Sequence, residues 1–269
     1  MNCRDVGHAL LEKSVTANLS AEAQEHVNGC KRCQELVQAL NSPPGAGLPS
    51  PATLRQIEQR MVADLRPVRP VAPAQYLFAA FASIFILVVA LGVYRIGAFA
   101  FAMMSRLQAA VILSALAISA GLLTYSLIHQ MIPGSRHSIP PNLLSFGIII
   151  SLMVVIAALF QFQHEQNFWA NGWTCIRAGT PIGFLAAVPF WLVLRKGTVL
   201  SPRPTGATTG LLAGLTGTSA LEMHCPNMDA WHILVSHLGV AVLGVMAGLL
   251  IGHIAEIADS RAFSRPSAD

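Results

Sequence analysis

Residues 77–94 read LFAAFASIFILVVALGVY and contain no charged side chain. A helix needs about 20 consecutive apolar residues to cross the hydrocarbon core of a bilayer, because each residue adds about 1.5 Å. We therefore interpret this run as a membrane-spanning helix. Five further apolar runs follow it, at about residues 107–129, 143–162, 178–194, 207–222 and 232–252. The pattern predicts a bundle of six transmembrane helices.

The chain before this run is polar. Residues 1–70 hold eight of the 17 Lys and Arg residues and seven of the 13 Asp and Glu residues. The whole chain is only 11% charged, against roughly 25% in a soluble domain. The first apolar run begins too late to be a signal peptide. We expect a small soluble head that stays in the cytoplasm, joined to a membrane body.

The expected architecture is all-α, with a small zinc-stabilised helical head and a six-helix transmembrane bundle. The predicted parts are a zinc-binding helical domain at 1–40, a Pro/Gly-rich linker at 41–52, an amphipathic juxtamembrane helix and linker at 53–73, the transmembrane domain at 74–254 and a tail at 255–269.

Lys and Arg residues are unevenly divided between the two sides of this bundle. With the head inside, the inner side carries 14 of them, and the outer side carries only Arg95, Arg106 and Arg177. Lys and Arg concentrate in cytoplasmic loops. Both termini are therefore expected in the cytoplasm, on the inner side of a bacterial cytoplasmic membrane.

A metal-ligand motif lies in residues 19–40, LSAEAQEHVNGCKRCQELVQAL. We expect one helix here, with Ser20 as its N-cap. At helical spacing, His26, Cys30 and Cys33 share one narrow face. Two thiolates and an imidazole suit zinc, which takes a fourth ligand in a structural site.

Two residues upstream could supply the fourth ligand. Cys3 is favoured because it is the softer ligand, and His8 is the alternative. A bound metal would also explain how so small a head folds. The pair of cysteines could instead be a redox pair.

The segments CRDV (3–6), LLEKSVTANLS (10–20) and HVNGCKRC (26–33) resemble the zinc-binding anti-sigma domain of bacteria. That resemblance implies a helical bundle in which Cys3, His26, Cys30 and Cys33 hold zinc. It also implies that the bundle binds an extracytoplasmic-function sigma factor and blocks its contacts with RNA polymerase.

A second helix is expected after the linker, in TLRQIEQRMVADLRPVRPV (53–71), with Thr53 as a possible cap. Its apolar stripe consists of Leu54, Ile57, Met61 and Leu65. The stripe could lie on the lipid surface, with the arginines near acidic headgroups. The resemblance implies instead a helix that docks on the sigma factor, for which a helix-in-groove contact is suitable.

The other two cysteines fall on the outer side in this topology. Cys175 is expected in the loop between the third and fourth segments, and Cys225 in the loop between the fifth and sixth. A disulfide or redox pair could persist in an oxidising periplasm. Nearby His164, His224 and His232 could join the cysteines in a metal site, or could be ordinary interfacial residues.

The stretch CIRAGTPIGFLAAVPFWLVLRKGTVLSPRPTGATTGLLAG (175–214) and the later EMHCP (222–226) resemble the NrsF-type negative regulators of sigma factors. These are membrane proteins of six segments with two periplasmic cysteines. The resemblance implies a sensing role for Cys175 and Cys225.

Glycines recur at four-residue spacing in the last two segments, which allows close helix packing in lipid. The spacing predicts a packed bundle, and dimerisation through these faces stays open. The glycines are Gly206, Gly210 and Gly214, then Gly244, Gly248 and Gly252.

The sequence therefore predicts a membrane-anchored anti-sigma factor of the stress response, and not an enzyme. Its expected cofactor is zinc, and its partners are a sigma factor and the bilayer, without direct binding of nucleic acid. Two rival interpretations are a membrane thiol-disulfide oxidoreductase and a metal-handling membrane protein. The first needs an exposed vicinal dithiol and usually a quinone site, whereas the Cys-x-x-Cys pair shares its helix face with His26. The second has only His237 as a notable ligand within a segment.

Overall fold

The computed structural model describes Cys3, Val6 and residues 20–41, 50–64, 72–135, 139–163 and 167–263. The described residues form helices and no sheet, which confirms the all-α prediction. The chain divides into two compact units, Met1–Arg69 and Pro70–Asp269.

The metal-ligand motif of the first unit folds as two helices, so the prediction of a single helix was wrong. Helix α1 spans Ala21–Gly29. Ser20 is its N-cap, as expected, and the Ser20 side chain accepts the Ala23 N–H at 3.3 Å. Helix α2 spans Lys31–Asn41. Between them Cys30 is extended, with φ −119° and ψ 109°. The break follows Gly29, because glycine has a low helix propensity.

Helix α3 spans Pro51–Asp64. Its cap is Ser50 and not Thr53, since the Ser50 hydroxyl accepts the Thr53 N–H at 3.1 Å. Proline is well suited to the first position of a helix, where no N–H is needed. The predicted stripe is exposed within this unit at Leu54 (50%), Ile57 (45%) and Met61 (67%). Leu65 lies outside the described residues.

The described residues of the second unit form six long helices. They are α4 (Ala74–Ile96), α5 (Arg106–Met131), α6 (Pro141–Leu159), α7 (Phe168–Leu194), α8 (Pro202–His224) and α9, which begins at Ala230–His232, continues through a π-helical turn at Ile233–His237 and runs on as Leu238–Phe263.

Five of these helices are long and apolar enough to cross a membrane, and α8 is not among them. The prediction of six apolar spans is corrected to five, because the predicted span 207–222 lies in α8. Every residue of α8 from Leu211 to Glu222 is buried. The other helices of the unit surround α8. A helix that is covered by protein needs no lipid-compatible surface, so α8 can carry glycine and threonine where the others carry leucine and isoleucine.

The predicted glycine faces of α8 and α9 pack directly on each other. A Cβ placed on Gly210 would collide with the carbonyl oxygen of Gly244, and one on Gly206 with that of Gly248. The two backbones are therefore in contact along this seam. Near its end, Arg203 of α8 forms an ion pair with Glu256 of α9.

Candidate metal centres

The four predicted ligands of the head lie together. The Cys3 sulfur is 3.4 Å from Nε2 of His26 and 3.6 Å from the Cys30 sulfur. The ligand atoms of Cys3, His26, Cys30 and Cys33 all lie within 4.8 Å of one another. His8, the alternative ligand, lies outside the described residues. Three cysteines and one histidine form a donor set that fits a tetrahedral structural zinc site.

The break in the helix arranges this cluster. His26 is on α1, Cys30 is at the corner, and Cys33 is in the first turn of α2. The carbonyl oxygen of Cys30 accepts the Cys33 N–H at 3.0 Å, which holds the corner against α2. Cys33 is buried in a small apolar cluster together with Val6. Helical spacing grouped His26, Cys30 and Cys33, and the structure brings them together at a corner between two helices.

The two cysteines of this corner differ in acidity. The backbone hydrogen bond of Cys33 and the side chain of Cys3 lower the pKa of Cys30. Burial, followed by the hydrogen bond with Cys3, raises the pKa of Cys33 to about 11. Metal binding requires thiolates, so a cation bound here would displace the Cys33 proton.

A second cluster lies in the second unit, Pro70–Asp269. It comprises Cys175, Cys225, His232 and His237, and all four are buried. The two sulfurs are 3.6 Å apart, and Nε2 of His232 lies 3.4 Å from the Cys175 sulfur and 3.5 Å from the Cys225 sulfur. All five cysteines of the chain are described, and none forms a disulfide.

Cys175 is not in a loop, as the sequence predicted, but is the eighth residue of α7. Helix α7 begins at Phe168, about ten residues before the apolar run, and of its first eight residues only Gly172 and Cys175 are buried. Helix α7 passes close to α9 at Gly172, where an added Cβ would lie 2.7 Å from the Ser236 hydroxyl oxygen. Cys225 directly follows α8, as its C-cap, which agrees with the predicted loop.

The π-helical turn of α9 brings its two histidines together. The ring centroids of His232 and His237 are 5.4 Å apart. In an α-helix, residues five apart point in different directions, whereas the wider π turn closes a hydrogen bond between such residues. The Leu238 N–H accordingly donates to the carbonyl oxygen of Ile233. Such turns occur frequently at functional sites.

Glu222 is the acidic neighbour of this cluster. Its Oε1 is 3.0 Å from Nδ1 of His237, and both side chains are 1% exposed. The Thr218 hydroxyl donates to the carbonyl oxygen of His237 at 2.8 Å. The sequence analysis assigned no role to Glu222 and did not join His237 to the cysteines. An ionisable residue within a buried membrane helix was the signal that could have identified it.

Asp229 fixes the start of α9. Its carboxylate accepts the His232 N–H at 3.1 Å and the Gln163 N–H at 2.7 Å. The Ala230 N–H donates to the carbonyl oxygen of Gln161 at 2.9 Å. The residues that follow α6 are thereby tied to the turn that carries His232.

His224, another histidine considered from the sequence, is not in this cluster. Nδ1 of His224 lies 3.3 Å from the carbonyl oxygen of Gly97, and its ring packs edge-on against Phe99. His164 lies outside the described residues. Of the two histidines of this group that the structure describes, His232 is the ligand candidate.

Comparison with known proteins gave one family. A family model described as "Negative regulator of sigma F" (NrsF) matches residues 61–255. No curated protein and no solved structure matches the chain. The match includes the whole second cluster, while the head cluster lies before it.

Proposed function

Because the chain belongs to the NrsF family of negative regulators of sigma F, we propose that it is a membrane-anchored anti-sigma factor that sequesters an extracytoplasmic-function sigma factor. The family match over residues 61–255 carries this proposal. The candidate membrane helices supply the anchor. The excess of Lys and Arg on one side supports cytoplasmic termini and a bacterial inner membrane.

The head is the proposed sigma-binding part. Its Cys3, His26, Cys30 and Cys33 would hold zinc and fix α1 and α2 around the corner at Cys30. The exposed stripe Leu54, Ile57 and Met61 of α3, continued by Leu65 in the sequence, would dock in a hydrophobic groove of the sigma factor. The head supplies a scaffold, and the stripe supplies apolar contact area.

The second cluster is the proposed sensor. Cys175 and Cys225 lie at the periplasmic end in this topology, with their sulfurs 3.6 Å apart. Oxidation of these thiols, or binding of a metal ion, would change how α7 and α8 meet and would weaken the hold on the sigma factor. A metal-handling membrane protein is the second candidate function, since four buried ligands surround one point.

Capture of a sigma factor tests the proposal. The full-length tagged chain is co-expressed with each extracytoplasmic-function sigma factor of its host, extracted in detergent and purified. We expect one sigma factor to co-purify with the wild-type chain, and much less of it with the Cys30→Ser/Cys33→Ser variant. The Gln56→Ser/Gln59→Ser variant is the control, since both residues lie on the face of α3 opposite the stripe. Absence of every sigma factor from the wild-type preparation would overturn the proposal.

A further inference from the structure

We infer that Cys175, Cys225, His232 and His237 form one tetrahedral site for a divalent d¹⁰ cation of the Zn²⁺ class, and that Glu222 is a positioning residue for His237. The inference deepens the proposed function, on which it rests only for its role in sensing. Of the two proposed stimuli, oxidation and metal binding, it develops metal binding.

The distances between ligand atoms match those around a tetrahedral zinc ion. Bond lengths of about 2.3 Å to sulfur and about 2.0 Å to nitrogen place two sulfurs about 3.8 Å apart, and a sulfur and a nitrogen about 3.5 Å apart. The two cysteine sulfurs are 3.6 Å apart, and the distances from His232 to them are 3.4 and 3.5 Å. The ligand atom of His237 also lies within 4.8 Å of the other three. A disulfide would need the sulfurs at about 2.05 Å.

The charges favour a divalent cation. The site is buried, with Cys175 at 9%, Cys225 at 5% and both histidines at 1% exposure. A net charge is costly in such surroundings. Two thiolates neutralise a divalent ion and leave the Glu222 carboxylate as the one net charge, whereas a monovalent ion such as Cu⁺ would add a second negative charge beside it. Thiolate and imidazole ligands in a tetrahedral arrangement select Zn²⁺ and its heavier relative Cd²⁺.

Glu222 determines which nitrogen of His237 is available. Its Oε1 lies 3.0 Å from Nδ1, so the hydrogen bond assigns the proton to Nδ1 and leaves the lone pair on Nε2. Nε2 has no hydrogen-bond partner among the described residues and is buried. A carboxylate that orients a histidine in this way is a common companion of metal ligands, and its loss typically weakens binding 10- to 100-fold.

Metal titration of the full-length protein in detergent tests this inference. Zn²⁺ content is measured by elemental analysis, and Co²⁺ absorption reports the coordination geometry. We expect two ions per wild-type chain, one in the head and one here, and a single ion for Cys175→Ser/Cys225→Ser. Glu222→Gln should retain the second ion with 10- to 100-fold weaker affinity, and His237→Gln should lose tetrahedral Co²⁺ bands at this site.

His224→Gln is the matched control, because it removes a histidine beside Cys225 that is not a ligand. Its metal content should equal that of the wild type, and size-exclusion profiles identify any variant that fails to fold. An unchanged ion count in the double cysteine variant would refute the site. An unchanged affinity in Glu222→Gln would refute the positioning role. Tighter binding of Cu⁺ than of Zn²⁺, unaffected by His237→Gln, would refute the divalent assignment.

The same preparations are tested for sigma-factor capture, so that the two proposals fail separately. A chain that captures a sigma factor but binds no second ion overturns the metal inference alone. A chain that binds the second ion but captures no sigma factor overturns the proposed function alone.

Discussion

The stripe on α3 gives a quantitative prediction for sigma-factor binding. Leu54, Ile57 and Met61 are 50, 45 and 67% exposed, so about half of each side chain remains to be buried by a partner. Full burial of such a side chain contributes about 1.5–3 kcal/mol. Half of that for three residues amounts to about 3 kcal/mol. The triple substitution by serine should therefore weaken binding on the order of 100-fold, since 1.4 kcal/mol corresponds to a factor of ten.

The assay is equilibrium binding of the fluorescently labelled sigma factor to full-length protein in lipid nanodiscs. Gln56→Ser/Gln59→Ser should bind like the wild type, which separates loss of the stripe from loss of helix stability. The stripe could instead rest on lipid. In that case the triple serine variant would keep its affinity for the sigma factor. A change of less than threefold would refute the docking role of α3.

Three further predictions concern the head, the glycine seam and the topology. Cys3→Ser should lower the zinc affinity of the full-length chain at least tenfold, because the Cys3 sulfur lies among the other ligands. His8→Ala should leave the zinc affinity unchanged. Competition with a chromophoric chelator measures both affinities. Gly210→Ala should destabilise the second unit by about 1–3 kcal/mol through overpacking. Gly147→Ala should be neutral or slightly stabilising, because the added methyl group meets no atom within 4 Å. Thermal melting in detergent compares the two variants. A green fluorescent protein fused to the C-terminus should fluoresce, and alkaline phosphatase at the same place should be inactive; the reverse result would contradict cytoplasmic termini.

The membrane helices could be predicted because lipid imposes a strong compositional rule. A run such as 77–94 has no alternative interpretation in an ordinary domain. The exception is α8, whose burial by neighbouring helices depends on tertiary packing. Hydropathy also failed to place the start of α7, which lies about ten residues before the apolar run. Cys175 was consequently assigned to a loop.

The two clusters differed in predictability for a physical reason. The head ligands are close in sequence, so local spacing identified His26, Cys30 and Cys33 even though the helix breaks at Cys30. The second cluster joins residues from three helices. The five-residue spacing of its histidines matches no α-helical face, and it is the π turn that brings the two rings together. Glu222, the carboxylate beside this cluster, lies in an otherwise apolar run, so the mean hydropathy of that run does not reveal it.

The position of the second cluster constrains how a cation could affect the head. Its ligands come from α7, α8 and α9, and α8 packs closely on both neighbours: an added Cβ at Gly210 would collide with Gly244 of α9, and one at Gly217 with Gly179 of α7. Both α7 and α8 contact α4: a Cβ on Gly92 of α4 would touch Ile182 of α7 and Ala220 of α8. Helix α4 follows the head in sequence. For a bundle with two arrangements that differ in affinity for the sigma factor, a cation shifts the equilibrium between them only by the ratio of its own affinities for the two. A tenfold weakening of sigma-factor binding therefore requires the cation to prefer the weakly binding arrangement by about 1.4 kcal/mol. Cys175→Ala, which removes the ligand on α7 alone, should therefore abolish the effect of Zn²⁺ on sigma-factor affinity and leave the affinity without Zn²⁺ unchanged.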